Sequence, residues 1–377
     1  MGQRVKPFTL FLCIVIFIYI IFGPMLICKG LNRPTPLELM KSRNPKWTGI
    51  IKIWHVEEYT ICGKGSVEYW LRETIDEIEG RYPEVFFEIR SMTPDRLNMY
   101  FQEGMNRDIL PDIISLSPYE NVVPSNILEN LAEYFSEEEL NLLIQPAMDI
   151  MTDNVISGLP YMVGWYTFIV NTGLVEDEYK PISALEDVDW VDLHKFISKA
   201  TCEKREGRKA IEQFGFITYN SPYSKPLECV ADSHIERWIS EGMAPEDIYD
   251  ITYEDGWRIF GREKRAGVFL APTKSIYTMR DMQKKGEDFQ VYVLPIPQGT
   301  NIKLDQIGIY GLLKQDNDYK KMICIDFLKE LLGEAMQTSL DEVGMFSVRR
   351  DITDIYDTDK DMQRLEEQLN GLYKYKK

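Results

Sequence analysis

The side chains able to do chemistry are numerous in this sequence, but they do not fall into catalytic spacings. Its three histidines, His55, His194 and His234, are far apart, and no metalloprotease HExxH, nucleophile elbow or phosphate-binding glycine loop is present. Adjacent carboxylates such as Glu57 and Glu58 are expected in a chain with 60 acidic residues, so they do not single out an acid/base pair. Outside the N-terminal stretch the cysteines are Cys62, Cys202, Cys229 and Cys324, none at metal-ligand spacing. Cys202 and Cys229 are candidates for a disulfide in an oxidising compartment. What the chain offers instead is aromatic and hydroxyl side chains, the groups that hold a ligand without transforming it. The sequence therefore points away from an enzyme and implies no cofactor and no metal.

A net charge of −17 from 43 basic and 60 acidic residues lacks the basic footprint that nucleic acid requires. Its 377 residues, 44% hydrophobic, suffice for two domains with full cores.

The elements that must position these side chains follow from periodicity. Ile50 to Val56 is rich in Ile and aromatics and predicts a strand. Ser66 then precedes Trp70, Leu71, Ile75, Ile78 and Tyr82 at helical spacing, until Pro83 ends the run. Val85, Phe87 and Ile89 alternate as a second strand, Pro94 opens a short helix, and Ile113, Ile114 and Leu116 form a third strand. This alternation predicts an α/β unit with mostly parallel strands and a ligand site at their carboxyl ends, in loops beginning at His55 and Ser117.

At these residues the chain resembles family 1 extracellular solute-binding proteins, the group containing maltose- and multiple-sugar-binding proteins. The opening Ile51-Lys52-Ile53-Trp54-His55 with Arg81-Tyr82-Pro83-Glu84-Val85, and the strand Leu110-Pro111-Asp112-Ile113-Ile114, are similar to that family's first strands. Gly158-Leu159-Pro160-Tyr161 with Phe168-Ile169-Val170-Asn171 resembles its crossover. Gly242 with Phe260-Gly261-Arg262-Glu263-Lys264 and Ala266, then Val293 to Gly299, then Phe327-Leu328 through Met345-Phe346-Ser347-Val348-Arg349, follow in the family's order. Ser347 stands where the family usually has proline.

The resemblance implies a two-lobed, periplasmic-binding-protein-like (type II) α/β fold with a ligand cleft between lobes. Lobe one is expected at 47–162 plus 266–306 and lobe two at 163–265 plus 307–377, with hinge crossings near Tyr161 to Trp165, Arg265 and Ile307. Carried over by position, the cleft receives His55 and Glu57, then Ser117 and Tyr119, then Tyr161, Trp165 and Tyr166, and finally Lys274, Ser275 and Tyr277. Trp165 is a candidate for stacking on a pyranose ring or for a hinge core, and Trp257 is a further candidate stacker. The implied function is capture of a small solute, mono- or oligosaccharide, for the permease of an ABC importer. Lys274 raises the alternative of a ligand carrying a carboxylate or phosphate. A receptor on the same fold that reports to a signalling protein is the other functional reading.

Arg4 and Lys6 precede an uncharged apolar run from Phe8 to Cys28, 21 residues long and close to the ~20 that span a bilayer. Residues 1–30 are expected to form an uncleaved membrane anchor, with lipidation at Cys28 or cleavage as alternatives, and the basic flank keeps the body on the outer face. Residues 31–46, with three prolines, read as a spacer.

Overall fold

The computed structural model describes residues 47–56, 65–102, 109–117, 123–144, 147–148, 156–175, 188–206, 209–221, 224–286, 289–297 and 304–373, together with Ile16. The expected anchor over residues 8–28 and the lipidation candidate Cys28 lie outside the described residues. Among the described residues no helix is long and apolar enough to cross a membrane.

Strand β1 (Gly49–Val56) buries Ile51, Ile53 and His55 on one face. Helix α1 (Val67–Arg81) starts where Ser66 Oγ accepts the Tyr69 N–H at 3.1 Å, and it buries the predicted stripe Trp70, Leu71, Ile75 and Ile78. Strand β2 (Val85–Met92), helix α2 (Pro94–Gln102) and strand β3 (Ile113–Ser115) follow, and both β2 and β3 pair with β1 in parallel. Asp112, just ahead of β3, holds that register: Oδ2 accepts the Lys52 N–H at 2.9 Å, while Oδ1 accepts from Lys320 Nζ at 2.6 Å. A short helix α3 (Glu137–Asn141) precedes strand β4 (Leu159–Gly164).

At Trp165 the chain leaves this first sheet. Strand β5 (Tyr166–Asn171), helix α4 (Trp190–Ala200), strands β6 (Cys202–Glu206) and β7 (Lys209–Ile217), helices α5 (Asp232–Ser240) and α6 (Tyr253–Trp257), strand β8 (Ala266–Pro272), helix α7 (Ser275–Lys284) and strand β9 (Val291–Leu294) build the second body. Its sheet has the order β6-β7-β8-β5-β9. Only β7 and β8 are parallel; β5 is antiparallel to both β8 and β9.

Strand β10 (Asp305–Leu312) then returns to the first sheet, giving the order β2-β1-β3-β10-β4 with β10 antiparallel to both neighbours. A register shift at Gly308 lets Tyr161 and Met162 of β4 close on the backbone: a Cβ there would meet their side chains at 2.7–2.8 Å. Helix α8 (Asp318–Leu331) covers the sheet beside α1, with Phe327 on Phe87 at 5.4 Å. Helices α9 (Glu334–Thr338) and α10 (Lys360–Tyr373) complete the chain.

Three expectations are corrected. Residues 266–297 do not return to the first lobe, because β8 and β9 hydrogen-bond to β5 in the second sheet; β10, expected in part in lobe two, lies in the first. Arg265 is therefore no crossing: its carbonyl accepts the Phe214 N–H at the entrance to the β7/β8 pair. The candidate disulfide is also absent, since Cys202 and Cys229 are free thiols.

Gln337 of α9 ties the parts of the first body together. Fully buried, its Nε2 donates to the carbonyls of Tyr161 (2.6 Å) and Leu331 (2.8 Å), and its Oε1 accepts from Ser347 Oγ (2.8 Å) and the Val348 N–H (3.2 Å). Ser347 thus uses a hydroxyl that a proline would lack. Gln337→Ala is expected to lower the unfolding free energy by about 3 kcal/mol, since four buried polar groups lose a partner; urea titration of both proteins checks this.

Candidate functional site

The first wall of the site is built where the inward face of β1 runs out. His55 is 2% exposed, and its Nδ1 lies 2.8 Å from the hydroxyl of Tyr310 on β10. The Tyr310 ring lies flat on Tyr161, with centroids 4.7 Å apart and planes at 9°, and Tyr161 in turn stacks on Trp70 at 6.2 Å. Burial lowers the His55 pKa from 6.5 to about 4; the carboxylate of Glu68 opposes this shift, and the ammonium of Lys274 adds to it. Burial likewise pushes the phenols of Tyr161 and Tyr310 upward. The imidazole is therefore neutral, set in an uncharged aromatic stack. Ser115 Oγ accepts the Val56 N–H at 3.0 Å and holds the end of the strand.

The second wall stands at the ends of β5, β7 and β8. The hydroxyls of Tyr166 and Tyr219 lie 2.9 and 2.6 Å from Ser224 Oγ, and that of Tyr253 lies 2.8 Å from Ser275 Oγ. The rings of Tyr219 and Tyr253 meet edge to face at 5.1 Å. Beyond Pro272 the Thr273 N–H donates to the Trp165 carbonyl at 2.7 Å, which sets the entry to α7.

The segment after α9 touches the second body at Tyr277. Tyr277 lies so close to Gly344 that a Cβ there would be 2.8 Å from its Cε2, and Gly344 takes φ +71°, a conformation costly for other residues. Tyr277 Oη donates to Asp359 at 3.4 Å, and Arg280 of α7 forms ion pairs with Asp359 and Asp361 at the start of α10. These pairs hold the guanidinium in its charged form. Behind the site, Gln368 of α10 accepts from Trp165 Nε1 at 3.2 Å and donates to the Ile296 carbonyl at 2.7 Å. One side chain thereby pins both segments by which the chain passes between the sheets.

Of the residues expected at the cleft, His55, Tyr161, Tyr166, Lys274, Ser275 and Tyr277 stand on these walls, with Ser117 buried just beyond β3. Glu57 and Tyr119 lie outside the described residues. Trp165 is fully buried at the crossing, with the Tyr373 ring edge-on at 6.1 Å. Trp257 is occupied elsewhere: it packs with Phe260 and Phe269 over Gly261 in the core of the second body. Sequence reasoning missed Tyr310, Thr273, Tyr219, Tyr253, Ser224 and Gly344. Tyr219 to Ser224 follow directly on a strand end, which is the signal that could have found them. Among the described residues no group of three His, Cys, Asp or Glu side chains could hold a metal.

The fold is shared with solved solute-binding proteins. The chain is similar to a chitin oligosaccharide binding protein (14% identity, TM-score 0.61, 87% of each chain covered). It is similar to the maltose/maltodextrin-binding domain of MalE from Bdellovibrio bacteriovorus bound to maltotriose (16%, TM-score 0.58, covering 86% of this chain and 87% of that one). It is also similar to a family 1 extracellular solute-binding protein from Bifidobacterium longum subsp. infantis (14%, TM-score 0.54, covering 81% and 83%). These likenesses establish the two-lobed fold and uphold, at that level, the resemblance read from the sequence pieces. No protein-family model and no curated protein matches the sequence.

The depressed pKa of His55 has a consequence for stability. Between pH 6.5 and about 4 the unfolded chain takes up a proton that the folded chain refuses, so the histidine's full contribution is present above 6.5 and is lost as the pH falls to 4. The loss amounts to about 3 kcal/mol. In His55→Gln this part of the pH dependence is expected to vanish, and denaturant unfolding of both proteins from pH 7 to 4, compared as a difference, measures it.

Proposed function

We propose that this chain is the extracellular solute-binding component of an ABC importer and that it captures a mono- or oligosaccharide between its two lobes. The observation that carries this reading is the composition of the strand ends in the two sheets: a neutral histidine with stacked tyrosines on one, and clustered tyrosine and serine hydroxyls on the other. Flat aromatic faces suit the apolar surfaces of a sugar ring, and uncharged hydroxyls suit its rim. The fold shared with proteins solved with maltotriose and described as binding chitin oligosaccharide supports the same ligand class.

In this reading the lobes rotate about the crossings at Trp165 and near Ile296, and the solute favours the closed form because only that form lets it touch both walls. Tyr277 against Gly344 is a contact of the closed form, and Trp165 serves the hinge. The permease then reads closure. Residues 8–28 anchor the body at the outer face of the membrane.

Thermal unfolding of the full-length protein in detergent, against neutral oligosaccharides, sugar phosphates, amino acids and peptides, tests the reading. A neutral oligosaccharide is expected to raise the midpoint with concentration, about 2.7 kcal/mol at a hundredfold excess over Kd, and the same sugar should contract the protein in small-angle scattering. A response confined to amino acids or peptides would overturn the sugar assignment.

A further inference from the structure

The two edges of the first sheet differ. At one edge β4 is closed: Val163 exchanges both backbone hydrogen bonds with Phe346, at 3.0 and 2.8 Å. At the other edge β2 pairs only with β1. A strand turns its backbone groups alternately to either side. Phe87 faces away from β1, since its N–H donates to Glu79 Oε1 of α1 at 2.8 Å. The Phe87 carbonyl and both backbone groups of Ile89 and Ser91 therefore line this edge, and among the described residues they have no hydrogen-bond partner. An open edge eight residues long is a template for another strand unless its side chains repel one. Here Glu88 and Arg90, both exposed, stand two residues apart on one face. Glu88 forms no ion pair among the described residues, and the Arg90 guanidinium lies over the Tyr100 ring at 5.7 Å. On the same face Phe86 is 57% exposed beside its register partner Ile50, which is 50% exposed.

We infer that β2 is a dimerisation edge, to which a second copy of this chain adds its own β2 antiparallel and centred on Ile89, making one continuous sheet of the two five-stranded ones. The charges select this register. With Ile89 opposite the partner's Ile89, Glu88 meets the partner's Arg90 and Arg90 meets the partner's Glu88, at the close spacing of a non-hydrogen-bonded pair. Moving the centre one residue either way sets Glu88 against the partner's Glu88, or Arg90 against the partner's Arg90. The backbone agrees with the charges. Both groups of Ile89 face the edge, so the two copies exchange two hydrogen bonds on the axis. Ser91 N–H then reaches the partner's Phe87 carbonyl, while Glu79 keeps the Phe87 N–H. Phe86 comes to lie opposite the partner's Met92, just ahead of the partner's α2, which covers part of the apolar surface at Ile50 and Phe86. None of this depends on which solute the chain binds.

Sedimentation equilibrium of the full-length protein in density-matched detergent, over a series of concentrations, is expected to show reversible association to twice the 44.1 kDa chain mass. Glu88→Arg and Arg90→Glu each place like charges opposite one another, so each should weaken the dimer about tenfold. The double variant Glu88→Arg/Arg90→Glu restores opposite charges and should associate as the wild type does. An equimolar mixture of the two single variants should likewise pair, one copy of each. Singles that fail to associate with no recovery in the double variant or the mixture overturn the inference, because lost folding rather than lost complementarity explains them. A dimer indifferent to both reversals, as one held through the N-terminal segment would be, overturns it too. So does a wild-type protein that stays monomeric throughout the series.

Discussion

Removing a histidine from water is tolerable only if the imidazole gives up its charge and finds a partner for at least one nitrogen. At His55 both conditions are met by the neighbouring strands: Tyr310 on β10 stands at Nδ1, and Tyr161 on β4 lies flat beneath Tyr310. That contact requires β10 to run antiparallel between β3 and β4, so the return of the chain from the second sheet and the state of the imidazole are one constraint. The shift at Gly308 and the absence of a side chain there let the Tyr161 ring close on β10.

The second constraint is the passage between sheets. A backbone that leaves one sheet for another must satisfy its polar groups on the way. At Trp165 the carbonyl accepts from Thr273 and the indole donates to Gln368, which also reaches Ile296 on the return path. Gln337 does the corresponding work at Tyr161 and the tail. Both crossings are thereby fixed to the C-terminal helix. The ion pairs of Arg280 with Asp359 and Asp361 join α7 of the second body to the same helix. They are partly shielded from solvent and so less screened than the exposed i,i+4 pairs on α1 and α5.

Much of this was legible in the sequence. The β1-α1-β2-α2-β3 succession follows from local signals: Ser66 ahead of a 3.6-residue apolar stripe, Pro83 after it, and alternation in Val85 to Ile89. These signals act within a few residues, so they survive without tertiary context. The short pieces around Asp112, Tyr161 and Ser347 marked positions that hold register and crossings, and Asp112 does so through its bonds to Lys52 and Lys320.

The sequence by itself determined the fold class and the first parallel unit, because periodicity and caps are written in neighbouring residues. Only the tertiary structure decided that β8 and β9 belong to the second sheet, since strand partners are chosen by pairing across more than 90 residues, as between Tyr166 and Pro272. It also decided that Trp257 fills a core, that Cys202 and Cys229 stay apart, that Tyr310 meets His55 and that Gly344 meets Tyr277. No local pattern encodes these outcomes: each depends on which distant surfaces come to be buried together.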